Sequence, residues 1–193
     1  GVIIVGESEF SFHLGAKLRE HHIPVMTFNL FSNNKSRAQE LGFEIFEGNL
    51  LSSNDRIYSD LSRYHTCLLM TQSFVFNSLA FNELVPEFGL KNVDMMPVSF
   101  NSEQARRNVE GPIKNHILFD DQMTSRWFNN YITKYNILEI PANQKATLTP
   151  NDMVLYHISD SRVVTFKRHH SKPLETNDGV IGYLKDAYNN QNL

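Results

Sequence analysis

The chain has 193 residues, 41% of them hydrophobic and 20% charged, which fits one ordinary globular domain with room for a small appendage. Its net charge of −3 lacks the basic excess that phosphate backbones require, so nucleic acid is excluded as a partner. The single cysteine, Cys67, excludes an intrachain disulfide and favours a reducing, cytoplasmic compartment. Because Gly1 directly precedes an apolar run and is no initiator methionine, we expect the chain to be part of a longer protein.

The first half of the chain alternates between predicted strands and helices. Residues 2–5 form a continuous apolar run typical of a central parallel strand, and residues 10–21 follow as an amphipathic helix. A second strand at 23–28 completes a βαβ unit. The same alternation predicts helices at 32–41, 54–64 and 74–85, the last ending at Pro86, and strands at 43–46, 66–70 and 93–98. We therefore predict an α/β fold with a Rossmann-like, doubly wound parallel sheet.

The last third of the chain has a different pattern. After a polar segment at 101–111, expected to be a loop or a short exposed helix, residues 121–135 predict a helix and 135–140 a further strand. Two short runs at 153–157 and 162–166 flank a Ser-Asp-Ser turn and predict a hairpin, with 180–184 as a third strand. We accordingly divide the chain into a Rossmann-like domain over 1–140 and a small β-rich α+β appendage, built on this hairpin, over 141–193.

The turn after the first strand decides whether such a sheet can bind a nucleotide. A dinucleotide turn needs glycines so that the backbone bends sharply and approaches the pyrophosphate. Here the turn reads Gly6-Glu7-Ser8-Glu9-Phe10-Ser11, with serines in place of the second and third glycines. The two glutamates bring negative charge to a helix N-terminus that would otherwise attract an anion. The turn leaves two interpretations open, a modified nucleotide site and a Rossmann-like fold that binds nothing at this edge.

Three short motifs follow one another in the first half of the chain. They are residues 6–11, Gly48-Asn49, and Pro86-Glu87-Phe88-Gly89. In this order and spacing they resemble the TrkA-N, or RCK-type, regulatory domain on the cytoplasmic side of potassium transport systems and of some sodium/proton antiporters. The antiporter branch is the more similar one, because its turn of the type Gly-Ala-Asn-Arg-Phe-Ser looks like residues 6–11 here.

This resemblance implies a cytoplasmic regulatory domain that senses a nucleotide or dimerises, attached to a membrane transporter of monovalent cations, in particular a sodium/proton antiporter. It implies a homodimer at the cytoplasmic face of the inner or plasma membrane. The ligand it implies is NAD or an adenine nucleotide such as AMP or ATP, although Asn29 replaces the acid that usually holds the ribose, so a domain without ligand stays open. Carried over to this sequence, the binding residues are Gly6, Ser8, Phe10, Ser11, Asn29, Asn49, Leu50, Thr71 and Gln72.

Catalysis and metal binding have weaker support in the sequence. Tyr131-Ile132-Thr133-Lys134 is one residue short of the Tyr-x-x-x-Lys pair of short-chain reductases. The adjacent histidine pairs at 21–22 and 169–170 diverge on a helix or a strand and chelate poorly. We therefore expect no enzyme and no metal site. The alternatives to a regulatory domain are a scaffold or docking domain that has lost its ligand and, with less support, an NAD(P)-dependent oxidoreductase.

Overall fold

A computed structural model describes residues 1–28, 32–46, 48, 51–52, 61–98, 112–120 and 123–192 of the chain. Within them, five parallel strands form the first sheet, in the order β3-β2-β1-β4-β5. The strands are β1 (Val2–Val5), β2 (Val25–Phe28), β3 (Glu44–Phe46), β4 (Thr66–Leu69) and β5 (Val93–Met95). This order is that of a Rossmann-like sheet. Successive strands are added on one side of β1 up to β3 and on its other side from β4 onwards, so the strand order reverses between β1 and β4. The predicted fold class is confirmed.

Helices cover both faces of this sheet. Helix α1 (Glu9–Glu20) packs on the face that carries Val2 and Ile4, and Ala38 of helix α2 (Ser32–Glu40) belongs to the same core. Helix α3 (Phe74–Phe88) packs on the opposite face, against Ile3 and Val5. The sheet is therefore doubly wound, as predicted. Most of the helix predicted at 54–64, and all of the loop or short exposed helix predicted at 101–111, lie outside the described residues.

Helix α3 continues past the proline at which the sequence predicted its end. Pro86 lies inside the last turn, and the helix closes at Gly89, whose amide donates to the carbonyl of Val85 at 2.8 Å. Proline removes one helical hydrogen bond, that to the Asn82 carbonyl. Because Asn82 and Pro86 are both exposed, water can satisfy this carbonyl and the helix tolerates the proline.

The second sheet is antiparallel and has the order β6-β9-β7-β8. Its strands are β6 (Leu138–Pro141), β7 (Met153–Ile158), β8 (Val164–Phe166) and β9 (Val180–Leu184). The predicted hairpin and third strand are confirmed. The strand predicted at 135–140 also belongs here, because β6 pairs with β9. The division of the chain at residue 140 stays a prediction.

Helix α4 (Ser125–Lys134) lies between the two sheets. Its Phe128 ring lies 4.7 Å from that of Phe10 in α1, and both rings are fully buried. On the other side, the Trp127 indole donates to the Asn190 carbonyl at 2.8 Å and the Tyr131 hydroxyl to the Lys185 carbonyl at 2.6 Å. One hydrophobic core runs from β1 through α1 and α4 to β7.

Candidate functional site

The candidate site lies at the carboxyl edge of the parallel sheet, where the strand order reverses between β1 and β4. Open α/β sheets bind ligands in the crevice at such a point. Gly6 follows β1 here with a φ of +129°, and a Cβ on it would lie 2.6 Å from the carbonyl carbon of Met70 and 2.8 Å from the nitrogen of Thr71. Glycine is required because the end of β4 passes directly against Gly6 and because its φ disfavours any side chain.

Helix α1 begins with a capping box made by Ser8 and Ser11. The backbone N–H of Ser11 donates to Ser8 Oγ at 3.1 Å, and the backbone N–H of Ser8 donates to Ser11 Oγ at 2.8 Å. The Ser11 hydroxyl donates in turn to the Ser8 carbonyl at 2.8 Å. Such a box satisfies two of the four amides that the start of a helix leaves without an intrahelical partner. The two serines that were expected to face a phosphate therefore bond to each other.

A third amide at the start of α1 is bonded to a side chain from α4. The backbone N–H of Phe10 donates to Asn129 Oδ1 at 3.0 Å. Anions bind at helix N-termini because these amides point outward without partners. Three of the four amides of α1 instead have acceptors supplied by Ser8, Ser11 and Asn129.

The two glutamates of the turn contact helix α2. The Arg37 guanidinium donates to both carboxylate oxygens of Glu9, at 2.6 and 2.8 Å, and these hydrogen bonds hold the pKa of Glu9 below its ordinary value. The side-chain amide of Asn34 donates to the Glu7 carboxylate. Because α2 follows β2, these contacts tie the turn to the part of the fold beside which a nucleotide ribose is expected.

The segment after β4 is hydrogen-bonded to the start of α3. The side-chain amide of Asn77, which is fully buried in α3, donates to the Thr71 carbonyl at 3.0 Å, and the Thr71 hydroxyl bonds to the Asn77 side-chain oxygen. The Ser73 amide donates to Thr71 Oγ1 at 3.2 Å. Gln72 is exposed at the same edge of the sheet. Of these two predicted ligand residues, Thr71 holds the start of α3 in place and Gln72 points into solvent.

The structure brings together five of the nine predicted site residues. They are Gly6, Ser8, Ser11, Thr71 and Gln72. The Phe10 side chain is instead fully buried, with its ring 5.8 Å from Phe119 and 4.7 Å from Phe128, so it belongs to the core. Asn29, Asn49 and Leu50 lie outside the described residues. Whether these positions bind a ligand stays a prediction.

Sequence reasoning missed the side chains that complete this edge. Asn129 gave no signal, because it lies 119 residues from Phe10 and only the packing of α4 on α1 brings the two together. Asn77 is a buried amide in a helix, a position that sequence patterns do not distinguish. Arg37 had a detectable signal, since a cation on the helix after β2 can reach an acid at the start of α1.

The described chain also bears on metal binding and on membrane insertion. Within it, no group of three or more His, Cys, Asp or Glu side chains converges as a metal site would require. None of its helices combines the length and the apolar character needed to cross a bilayer. His21, from the first histidine pair, bonds to the Glu139 carboxylate of β6 at 2.9 Å.

Comparison with known proteins finds solved structures that are similar to this chain, among them an epimerase/dehydratase and an RCK domain. No protein-family model and no curated protein matches the chain. One similar structure is described as an NAD-dependent epimerase/dehydratase from Bacillus halodurans, with a TM-score of 0.39 and 12% identity over 55% of this chain and 55% of that one. Another is the GsuK RCK domain, with a TM-score of 0.44 and 10% identity over 94% of this chain and 44% of that one.

The chain thus spans about half the length of each of these two structures. At these identities and TM-scores neither likeness adds to what the strand order shows. The Rossmann-like fold rests on the order β3-β2-β1-β4-β5, and an RCK domain, the family that the sequence motifs resemble, is among the solved structures similar to this chain.

Proposed function

We propose that this chain is the cytoplasmic regulatory domain of a monovalent cation transporter, of the sodium/proton antiporter type. We further propose that it acts through protein contacts, as a homodimer and against its transporter, rather than through a nucleotide at the first turn. The motifs at residues 6–11, 48–49 and 86–89 support the transporter context. The observation that carries the second part is the bonding of three α1 amides to Ser8, Ser11 and Asn129.

A nucleotide phosphate at this turn would have to displace these acceptors. Each intramolecular hydrogen bond that is lost costs about 1 kcal/mol net, and a phosphate would return only part of this through the same amides. The loss of these hydrogen bonds disfavours binding of an anion at the usual phosphate position.

The outer face of α3 supports a role in protein contacts. Val75 and Leu79 lie one turn apart on this helix and are 68% and 51% exposed. Apolar side chains at positions i and i+4 share one helix face, so the two form a joint apolar surface. Exposed apolar surface of this kind is typical of interfaces with other proteins.

Nucleotide sensing is the second candidate, with NAD, AMP or ATP as ligand. The observation that favours it is the position of Gly6 and the exposed Gln72 at the point where the strand order reverses. The oxidoreductase alternative has less support. A catalytic tyrosine needs a lowered pKa, whereas burial raises the pKa of Tyr131 to about 12 and its hydroxyl donates to a backbone carbonyl. The absence of catalysis remains a proposal, and turnover with NADH or NADPH would contradict it.

Thermal melting in the presence of NAD, NADH, AMP or ATP tests whether the chain binds a nucleotide. Each ligand is added at up to about 1 mM, a range that covers common affinities. A site with a Kd of about 10 µM would raise Tm by roughly 5–10 °C at 1 mM ligand. We expect the melting temperature to stay the same with all four ligands. A saturable, concentration-dependent rise with any of them would contradict the ligand-free proposal and support nucleotide sensing.

Analytical ultracentrifugation tests the contact surface. We expect a dimer that the double variant Val75→Glu/Leu79→Glu converts to a monomer, because the carboxylates would be desolvated in the interface. Leu138→Glu, a change at an exposed leucine of β6 in the second sheet, is the matched control and should leave the dimer intact. A wild-type monomer at all concentrations would contradict dimerisation through α3.

A further inference from the structure

A cavity of about 390 Å³ lies at the opposite, amino edge of the parallel sheet. Thr66, the first residue of β4, and Asn92, directly before β5, line one side of it. The other wall comes from β8 and the segment that follows it, so the cavity lies between the two sheets. Its volume falls within the roughly 300–1,000 Å³ typical of small-molecule sites. The length of β4 separates it from the turn at Gly6.

The charged groups of this cavity carry an excess of positive charge. Its cations are Lys91, Arg168 and Lys172, and its one acid is Asp94. Asp94 accepts from Arg168 Nε at 2.6 Å and from Arg168 Nη2 at 3.2 Å, so these two charges neutralise each other. The ammonium groups of Lys91 and Lys172 make no hydrogen bond or ion pair with any residue that the structure describes. Among the described residues, two positive charges of the cavity therefore remain uncompensated.

The wall that carries Lys172 is fixed by its own hydrogen bonds. The Lys167 ammonium donates to the carbonyls of Ser171 and Lys172, at 2.6 and 3.0 Å. The Ser171 hydroxyl donates to the Arg168 carbonyl at 2.8 Å. The Arg168 guanidinium, besides its bonds to Asp94, donates to the Lys91 carbonyl at 2.5 Å and thereby joins the two walls. The Arg168 guanidinium and the backbone at Lys91 and Lys172 are thus held in position before any ligand arrives, which lowers the entropic cost of binding.

Part of the remaining lining is apolar. Val164, Phe166 and Leu174 contribute side chains from the second sheet and the segment after β8. A ligand that fits this lining has an anionic head for the two lysines and a compact apolar body for these three residues. A dianionic phosphate matches the two uncompensated charges better than a monoanionic carboxylate does.

We propose that this cavity binds a phosphate monoester with a compact apolar or aryl group. Lys91 and Lys172 bind the phosphate, and Phe166 and Leu174 contact the apolar group. Because both walls contact such a ligand, its binding stabilises the arrangement of the two sheets. The site is independent of the function proposed above, which concerns the opposite edge of the parallel sheet and the outer face of α3.

Isothermal titration calorimetry with phenyl phosphate at low salt tests this site on the whole chain. We expect saturable binding, and weaker binding of inorganic phosphate, which lacks the apolar group. Lys91→Gln and Lys172→Gln should each weaken binding by about fivefold, and the double variant by more than about tenfold. Both lysines are exposed and unpaired within the described chain, so we expect these variants to keep the wild-type melting temperature.

The matched control is Lys134→Gln, a change at an exposed lysine in the last turn of α4, which should bind phenyl phosphate like the wild type. Failure of phenyl phosphate to bind at millimolar concentration, or equal binding by the double variant, would overturn the proposal. Vesicles of phosphatidylcholine with and without phosphatidate identify the source of the ester. Binding that requires phosphatidate and both lysines supports the site with a lipid headgroup as ligand, whereas binding of phenyl phosphate alone supports it with a soluble ester.

Discussion

The two edges of the parallel sheet differ in how far their polar groups are bonded within the protein. At the carboxyl edge, the amides and carboxylates of the first turn bond to Ser8, Ser11, Arg37 and Asn129. At the amino edge, Lys91 and Lys172 have no partner among the described residues. The strand order alone indicates the carboxyl edge as the ligand site, although three of the four amides at the start of α1 are already bonded there. Topology thus indicates where a Rossmann-like sheet can bind a ligand, while the polar groups left unbonded there decide whether it does.

The largest effect is expected from removing the charge that holds the amino-edge cavity together. Arg168→Met should lower the free energy of unfolding by about 3–5 kcal/mol, measured by urea denaturation, because it leaves the buried Asp94 carboxylate without its cation. Asp94 is 3% exposed, and its remaining side-chain partner is His116 at 3.2 Å. Burial raises the pKa of Asp94, which reflects the cost of keeping this charge away from water.

A second variant separates the buried charge from the loss of packing. Asp94→Asn/Arg168→Met removes both charges, so it should be more stable than Arg168→Met alone. If the double variant is as unstable as the single one, the guanidinium acts through packing and the account of this pair is wrong.

The next largest effect concerns the close approach of β4 to the first turn. Gly6→Ala should lower the free energy of unfolding by about 3 kcal/mol, because the new Cβ meets the backbone of Met70 and Thr71 and because the φ is strained. Gly89→Ala is the control. Gly89 also has a positive φ, +83°, but a Cβ there would lie 3.9 Å from its nearest neighbour, Asn92 Nδ2, so only the backbone strain of about 1–2 kcal/mol should appear. Equal losses in the two variants would show that the contact with β4 has no energetic role.

A smaller effect tests the amide bonded by α4. Asn129→Ala should cost about 1–2 kcal/mol of unfolding free energy, because the Phe10 amide loses its acceptor. Asn136→Ala, a change at an exposed asparagine just after α4, should change the stability by less than about 0.5 kcal/mol. If both variants keep the wild-type stability, water replaces the Asn129 acceptor and the edge is more open than proposed.

The smallest effect belongs to the ion pair at the rim of the turn. Arg37→Gln should cost less than about 1 kcal/mol at neutral pH, because the two side chains are 36% and 47% exposed and water screens the pair. The Arg37 hydrogen bonds lower the pKa of Glu9 from its ordinary 4.5. The stabilisation by the pair is therefore fully present above pH 4.5 and is lost as the pH falls through the lower folded-state pKa.

Urea denaturation at a series of pH values measures this difference. The stabilities of wild type and Arg37→Gln should converge in acid, whereas Arg126→Gln, a change at an exposed arginine of α4, should show no pH-dependent difference from the wild type. A constant gap between wild type and Arg37→Gln from neutral pH down to acid would contradict the assignment to Glu9.

The sequence predicted the parallel sheet well because its strands carry their own signal. β1 is apolar at all four positions and is buried on both faces, as a central parallel strand must be. The partner of β6 could not be predicted in the same way. A short apolar run predicts a strand but not the sheet that this strand joins. In the structure β6 pairs with β9, some forty residues further along the chain.

The sequence indicated where the candidate site lies but not how its polar groups are bonded. Gly6 and the turn that follows it lie at the carboxyl edge of the sheet, as the sequence predicted, and binding of a ligand there stays a prediction. The capping box of Ser8 and Ser11 was not predicted, because small residues in a glycine-type turn are compatible both with a phosphate and with helix capping. The contact from Asn129 and the cavity at the amino edge depend on how the two sheets pack, which local sequence patterns do not encode.

The core shared by the two sheets has a consequence for how the protein opens. Trp127 and Tyr131 take their acceptors from residues 190 and 185, while Phe128, between them, packs on Phe10. Separating the antiparallel sheet would expose this aromatic layer to water. The large-scale opening with the lowest free energy is therefore unfolding of the whole structure. Native-state hydrogen exchange should therefore find the slowest amides of β1 and β7 exchanging with the same free energy. A fragment ending near residue 140 should aggregate rather than stay folded.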